Sequence, residues 1–306
     1  MFRAIAVLGA FSLCGWAADA PVREVTSLAT RSGNQLVPAF YNGYIYWIGR
    51  DGGDGAVTIY APDGHLAMAF ATDRGPAESV AVDTDGTVAV AWWARHKGGG
   101  IELRDGYGVL TKTIQTGTYL PSHVAFGDEH TLWSFGFQVD ATDDAIPDKK
   151  DYMTVRKYLS DGKQAGAYLP RSLFPAGMEP GEHSWQNSSS IVVAHDRIGL
   201  WAYSGMSGDE TEWVELDLSG NLLGRWRLDQ FVRGTKVALT TDGHVFVQTR
   251  DAKSPTHRLF TLERASATWQ AVSDPPPGEM QGADGDTLAF SEWGSGPMVV
   301  RWYRHP

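Results

Sequence analysis

The sequence predicts an all-β fold, a six-bladed β-propeller closed by the N-terminal strand pairing into the last blade. Three observations predict it: strand-turn-strand units recur with a period in the low forties, each unit reads as four strands, and a spare strand near the start matches a missing one at the end. The first inner turn of each unit falls at Asn42-Gly43, Asp85-Gly86, Asp128-Glu129, Asp196-Arg197, Asp242-Gly243 and Asp284-Gly285. The successive spacings are 43, 43, 68, 46 and 42 residues. Four-stranded repeats of this length belong to propellers, and the one long interval is a repeat plus an insertion.

The unit from Pro76 to Thr116 shows the pattern best. Ser79–Val82 leads to a turn at Asp83-Thr84-Asp85-Gly86, and Thr87–Ala94 runs back. Lys97–Gly100 reads as a Gly-rich bend, followed by Ile101–Arg104, a turn at Asp105-Gly106, and Val109–Gln115. Asp-Gly pairs between β-rich runs signal hairpins because such turns need left-handed backbone that Gly and Asp tolerate. A lone four-stranded sheet leaves edges and faces unpaired, so each unit needs neighbours. Second turns recur at Asp63-Gly64, Asp161-Gly162, Ser219-Gly220 and Ala265-Ser266, each after a short alternating strand. The sixth unit ends at Met298–Tyr303 without a fourth strand, and Val22–Leu28 is the orphan strand that would supply it.

Composition agrees. The chain has 306 residues, 42% of them hydrophobic, with 35 Gly, 12 Trp, 11 Tyr and 12 Phe. That is enough apolar side chain for a packed core. The net charge of −10 argues against nucleic acid as a partner, since phosphate binding needs a basic surface. No later stretch approaches the ~20 apolar residues of a membrane span. Trp47, Trp92, Trp133, Trp201, Phe246 and Phe290 fall late in the second strand of their units. Packing between blades is the plainer reading of this ring, and an aromatic lining for a sugar or cation the sharper one.

Residues 1–17 carry the pattern of an export signal. Arg3 precedes the apolar Ala4–Cys14, and small residues flank a cleavage site after 17 or, with Pro21 against it, after 20. A buried N-terminal helix or strand is the competing reading. The lone cysteine, Cys14, lies within this leader, so the mature chain would have no disulfide, thiol catalyst or Cys-based zinc site. The expectation is a periplasmic or secreted monomer with one domain spanning 22–306.

Residues Pro76, Val80-Ala81-Val82-Asp83, Gly86, Val88, Val90-Ala91, Ile101 and Gly106 resemble the NHL-type repeat, best over residues 76–110. The closing half departs from that pattern: Ala91-Trp92 stands where Ala-Asp is expected, and no Asn-x-Arg precedes the third strand. The resemblance implies architecture and no particular activity. It also implies that the loops joining strands two and three, and those joining blades, share a face where ligands enter.

Two long loops fall on that face. Residues 138–153 carry Asp140, Asp143 and Asp144, oxygen ligands that could hold calcium or another divalent cation. Their spacing is not that of an EF-hand, and a solvated acidic loop balanced by Lys149 and Lys150 is the plainer reading. Residues 169–190 include His183, Trp185 and Asn187, a mixture suited either to a polar ligand or to a plug over the channel. Alignment on the inner turns adds Glu78, His123, Lys236 and Glu279 near the starts of the innermost strands. Together these residues are the candidate ligand-binding set, for a polar small ligand or a protein segment. The alternative is a metal-assisted lactonase, hydrolase or lyase using Glu78, His123, His183 and Glu279 at the channel mouth. They do not reproduce the carboxylate–Asn set of regucalcin-type lactonases. His65, His130, His195 and His244 lie beside turns on the opposite face and read as structural. No nucleophile-elbow, phosphate-loop or dinucleotide motif occurs.

Overall fold

In the computed structural model, residues 17–18, 23–25, 38–49, 55–94, 97–139, 151–174, 190–194, 196–202, 212–227, 236–250, 256–292 and 298–304 are described. They form six antiparallel sheets, the blades of a six-bladed propeller. Blade 1 comprises Ala39–Tyr41, Tyr44–Gly49, Ala56–Tyr60 and Leu66–Ala71. Blade 2 comprises Ala77–Val82, Val88–Ala94, Gly98–Arg104 and Leu110–Gly117. Blade 3 comprises Tyr119–Phe126, Leu132–Gln138, Met153–Tyr158 and Gln164–Pro170. Blades 4 and 5 run from Ser190–Ala194 to Leu222–Arg227 and from Lys236–Leu239 to Thr268–Ala271. Blade 6 contains Glu279–Asp284, Thr287–Glu292 and Met298–Arg304.

The first strand of each blade touches the first strand of the next, and that of blade 6 touches that of blade 1, so the inner strands form a ring. The turns behave as their chemistry requires. Gly86 and Gly243, each closing the first hairpin of a blade, have φ of 86° and 90°, a region closed to most side chains. On the outer edge of blade 6, Arg23, Glu24 and Val25 pair antiparallel with Val300, Val299 and Met298. Ala17 and Ala18 pair further along the same strand, with Arg304 and Tyr303.

Apolar side chains gather in the six wedges between neighbouring blades. Trp133, Phe135, Ile191, Leu200 and Val214 fill the wedge between blades 3 and 4. Trp201, Trp213, Val237 and Val247 fill the next, and Trp47, Ala289, Val300 and Trp302 join blade 6 to blade 1. Trp92, Trp133, Trp201, Phe246 and Phe290 are at most 1% exposed. The aromatic ring is therefore packing, each member contributing about 2–3 kcal/mol through burial.

One expectation is corrected. Gly98–Gly100 is not a bend but the start of a strand, with Gly98, Gly99 and Gly100 opposite Ala94, Trp93 and Trp92. The glycines are there for space: a Cβ on Gly100 would lie 2.6 Å from Cζ2 of Trp92.

Buried charges tie blades together. Glu215, 1% exposed, accepts hydrogen bonds from Trp213 Nε1, Arg197 Nη1 and the Arg264 guanidinium, the last reaching over from blade 5. Glu102 accepts from Arg104 Nε at 3.0 Å and from the backbone N–H of Asp73 at 2.9 Å, holding blade 2 against the chain that leaves blade 1. Donors of this kind offset part of the desolvation that a buried carboxylate suffers.

Candidate functional site

The six inner strands enclose a channel of about 230 Å³. Backbone and small apolar side chains line most of it, with Ser79, His123 and Ser190 toward the strand starts and Thr241 and Gly285 at the other end. Three inner strands are bulged near their starts. Register slips between Ala77 and Ser79, between Pro121 and His123, and between Met280 and Gly282 leave Glu78, Ser122 and Gln281 as the extra residues. An extra residue re-aims the side chains beside it, a device common near binding sites. All three extra residues are polar, and they are 3%, 1% and 1% exposed.

Buried polar atoms at this end lack partners among the described residues: Ser122 Oγ, His123 Nε2, Ser190 Oγ and Gln281 Oε1. The amide nitrogen of Gln281 is occupied, donating to Ser291 Oγ and to the Glu279 carbonyl, so only its oxygen is open. Burial lowers the pKa of His123 to about 4, because the imidazolium would be desolvated. The ring is therefore neutral at pH 7 and offers a nitrogen rather than a charge. Lys236 is 7% exposed, and burial pulls its pKa below that of an ordinary lysine, with Glu279 opposing the shift. Gln248, paired with Lys236, fixes the neighbouring backbone by accepting from Met280 N and donating to the Gly278 carbonyl.

The sequence-predicted candidates fall as follows. Glu78, Lys236 and Glu279 are the second, first and first residues of their inner strands, and His123 stands after the bulge in its own. Of these, His123 lines the channel. His183, Trp185 and Asn187 lie outside the described residues, as do Asp140, Asp143 and Asp144. Ser122 and Gln281 were not among the candidates, since a bulge leaves no mark on an alternating pattern, and Ser190, the first residue of an unbulged strand, was not among them either.

Among the described residues, Glu78, His123 and Glu279 do not gather their ligand atoms into a metal-sized group. The group that does lies on the opposite face: one ligand atom each from Asp83, Asp85 and His130 sits within 4.8 Å of the others. His130, read from sequence as structural, hydrogen-bonds Asp83 Oδ2 through Nδ1 at 2.7 Å, and Asp85 Oδ2 is 3.9 Å away. Hydrogen bonds within the turns hold both carboxylates in place, from Thr84 N to Asp83 and from Thr87 N to Asp85.

No family model matches the chain, and no curated protein matches it. The NHL-type resemblance therefore rests on residues 76–110 alone. Solved structures do match in fold. A protein of unknown function from Dyadobacter fermentans is 12% identical with a TM-score of 0.58, over 93% of this chain and 99% of that one. A Bacteroides caccae protein of unknown function is 13% identical with a TM-score of 0.54, over 82% and 83%. The WD40 domain of Toxoplasma gondii coronin is 10% identical with a TM-score of 0.51, over 95% and 86%. These likenesses show a shared propeller fold.

Proposed function

We propose that this chain is an exported propeller that acts as a binding module, holding a small polar ligand where the inner strands begin. The observation that carries this reading is a pair of buried polar atoms without a partner among the described residues, His123 Nε2 and Ser190 Oγ, on residues that line the channel, with Ser122 and Gln281 adding two more at bulges of the inner strands. A buried polar atom without a partner is unfavourable by about 1–3 kcal/mol, and a ligand that supplies hydrogen bonds recovers that energy on binding. Small clefts with a few convergent polar groups are where proteins hold small molecules. The channel volume favours a small ligand over a folded partner, and a protein segment would have to dock through the long loops above it. Export rests on the leader pattern of residues 1–17. No helix among the described residues is long and apolar enough to cross a membrane.

The test is a melting-temperature screen of the purified protein against sugars, amides, amino acids and short peptides, repeated with H123A and S190A. A ligand that raises the melting temperature of the wild type should bind these variants on the order of tenfold more weakly, the effect of one lost hydrogen bond. An unchanged ligand profile in both variants would remove the site. Stoichiometric calcium, zinc or manganese in the purified protein, lost in E78Q or H123A, would replace this reading with the metal-assisted enzyme.

A further inference from the structure

We propose that Asp83, Asp85 and His130 hold a divalent transition-metal ion of the zinc type in the cavity between blades 2 and 3. The site lies on the face opposite the channel site and is independent of the binding reading above. The cavity has a volume of about 370 Å³ and is lined by all three residues, together with the apolar Leu103, Ile114 and Leu132. One donor atom from each of the three lies within 4.8 Å of the others. His130 Nδ1 is 2.7 Å from Asp83 Oδ2 and 3.9 Å from Asp85 Oδ2. Donors bound to one zinc ion at about 2.0–2.2 Å stand roughly 3–4 Å apart. The wider separation already has that size, and the hydrogen bond to Asp83 has only to open slightly. Nδ1 takes the ion in place of its proton, which a neutral ring moves to Nε2 and an imidazolium gives up to water.

The matching turn of blade 5 shows what sets this one apart. Thr240 there has the backbone role of Asp83: its N–H donates to the His244 carbonyl and its carbonyl accepts from Gly243 N, as Asp83 pairs with Thr87 and Gly86. The Thr240 hydroxyl donates to the Asp242 carboxylate, so that turn satisfies its own charge. Blade 2 has a second carboxylate where blade 5 has the hydroxyl, and its side chain is only 4% exposed. Two carboxylates so close repel, and an ion between them removes the repulsion. The cavity's lysine, Lys112, is engaged elsewhere, donating to the Ser160 carbonyl at 3.3 Å. The donor set names the class of ion. Imidazole with carboxylates suits zinc, whereas calcium takes six to eight oxygens. Three protein ligands leave a tetrahedral zinc one position for water or for a donor atom of a molecule in the cavity.

The experiment frees the full chain of metal with EDTA, dialyses the chelator away and titrates zinc by calorimetry, with the melting temperature as a second readout. One zinc ion should bind here and raise the melting temperature, since an ion that binds only the folded state stabilises it. Losing a group that merely orients a metal ligand weakens affinity about 10–100-fold, so D85N and H130Q should each weaken zinc at least about tenfold and abolish the melting shift. Both side chains are 52% exposed, so neither variant empties the core, and a cooperative melt without metal verifies that each folds. Excess calcium should not displace the zinc. E78Q and H123A should keep it, which separates this site from a metal centre at the channel. H65Q should keep it too, since His65 and Asp63 form an exposed pair with only two donors. Absence of zinc binding, equal affinity in D85N, H130Q and the wild type, or displacement by calcium overturns the proposal. A loss in H65Q or H123A as large as that in H130Q places the ion elsewhere and overturns it as well.

Discussion

Nδ1 of His130 stands 2.7 Å from Oδ2 of Asp83, joining the inner turn of blade 3 to that of blade 2. The Asp83 side chain is 4% exposed, while that of His130 is half in solvent. Hydrogen bonding and attraction from Asp83 raise the His130 pKa, with Asp85 adding to the effect. Because the folded-state value lies above the unfolded one, this contact contributes stability fully below about pH 6.5, the unfolded value. The contribution is lost as pH rises through the folded value. His123 acts in the opposite direction, since its lowered pKa makes acid destabilising below about pH 6.5. The difference in melting temperature between wild type and H130Q should therefore be larger at pH 5.5 than at pH 8.5. An equal difference at both would mean that the contact carries no charge.

The turns were legible because their chemistry is local. An Asp-Gly pair reports a backbone that only a few residues adopt, and Gly86 and Gly243 adopt it. Four Asx-Gly pairs, with Asp128-Glu129 and Asp196-Arg197 at the equivalent places and one long interval among the spacings, are enough to count blades. The Asp83–His130 contact was not legible, because it spans 47 residues and depends on how two blades are rotated against each other. The bulges at Glu78, Ser122 and Gln281 were hidden for a different reason. One inserted residue changes the register but not the composition, so Ser122 and Gln281 looked like any polar residue in a strand. Gly98–Gly100 misled because glycine in a turn and glycine beneath an indole look alike until the indole is placed.

That last distinction can be measured. A methyl on Gly100 would meet Trp92 Cζ2 at 2.6 Å and the Ile114 carbonyl oxygen at 2.9 Å. Trp92 is 1% exposed, so its ring has little room to retreat. G100A should cost about 1–3 kcal/mol, the range for overpacked cores. G106A is the control, since the nearest atom to its new methyl is Gly86 O at 3.9 Å. It should change stability by less than ~0.5 kcal/mol. Equal melting temperatures for the two variants would place Gly100 back in an open bend.

Lys236 leads to a prediction of opposite sign. Exchanging a buried charged group for an apolar one of similar length often stabilises a protein, by roughly 1–4 kcal/mol. K236M should therefore raise the unfolding free energy at pH 7. A lysine whose folded pKa is depressed destabilises the fold wherever the unfolded chain would be protonated, below about pH 10.4. The advantage of K236M should accordingly shrink as pH rises toward that value. Denaturant unfolding at pH 7 and pH 10 measures both parts. A destabilised K236M would mean that the ammonium is held by favourable contacts.

The outer edge of blade 6 carries the last prediction. Met298, Val299 and Val300 pair with Val25, Glu24 and Arg23, a segment far away in sequence. Removing residues 1–28 would leave Met298–Arg304 as an edge strand with unpaired N–H and C=O groups along one side. Such an edge recruits other strands, and a second copy of the same edge is the nearest one available. Met298, Val300 and Trp302 also belong to the wedge between blades 6 and 1, so fraying of this strand would loosen that wedge. The shortened chain should melt at a lower temperature and should associate with itself as its concentration rises, both visible by calorimetry and size-exclusion chromatography. If it instead stays monomeric with the melting temperature of the chain that keeps residues 18–28, the N-terminal strand does not seal the ring, and the inner-strand contacts between blades 6 and 1 hold it closed alone.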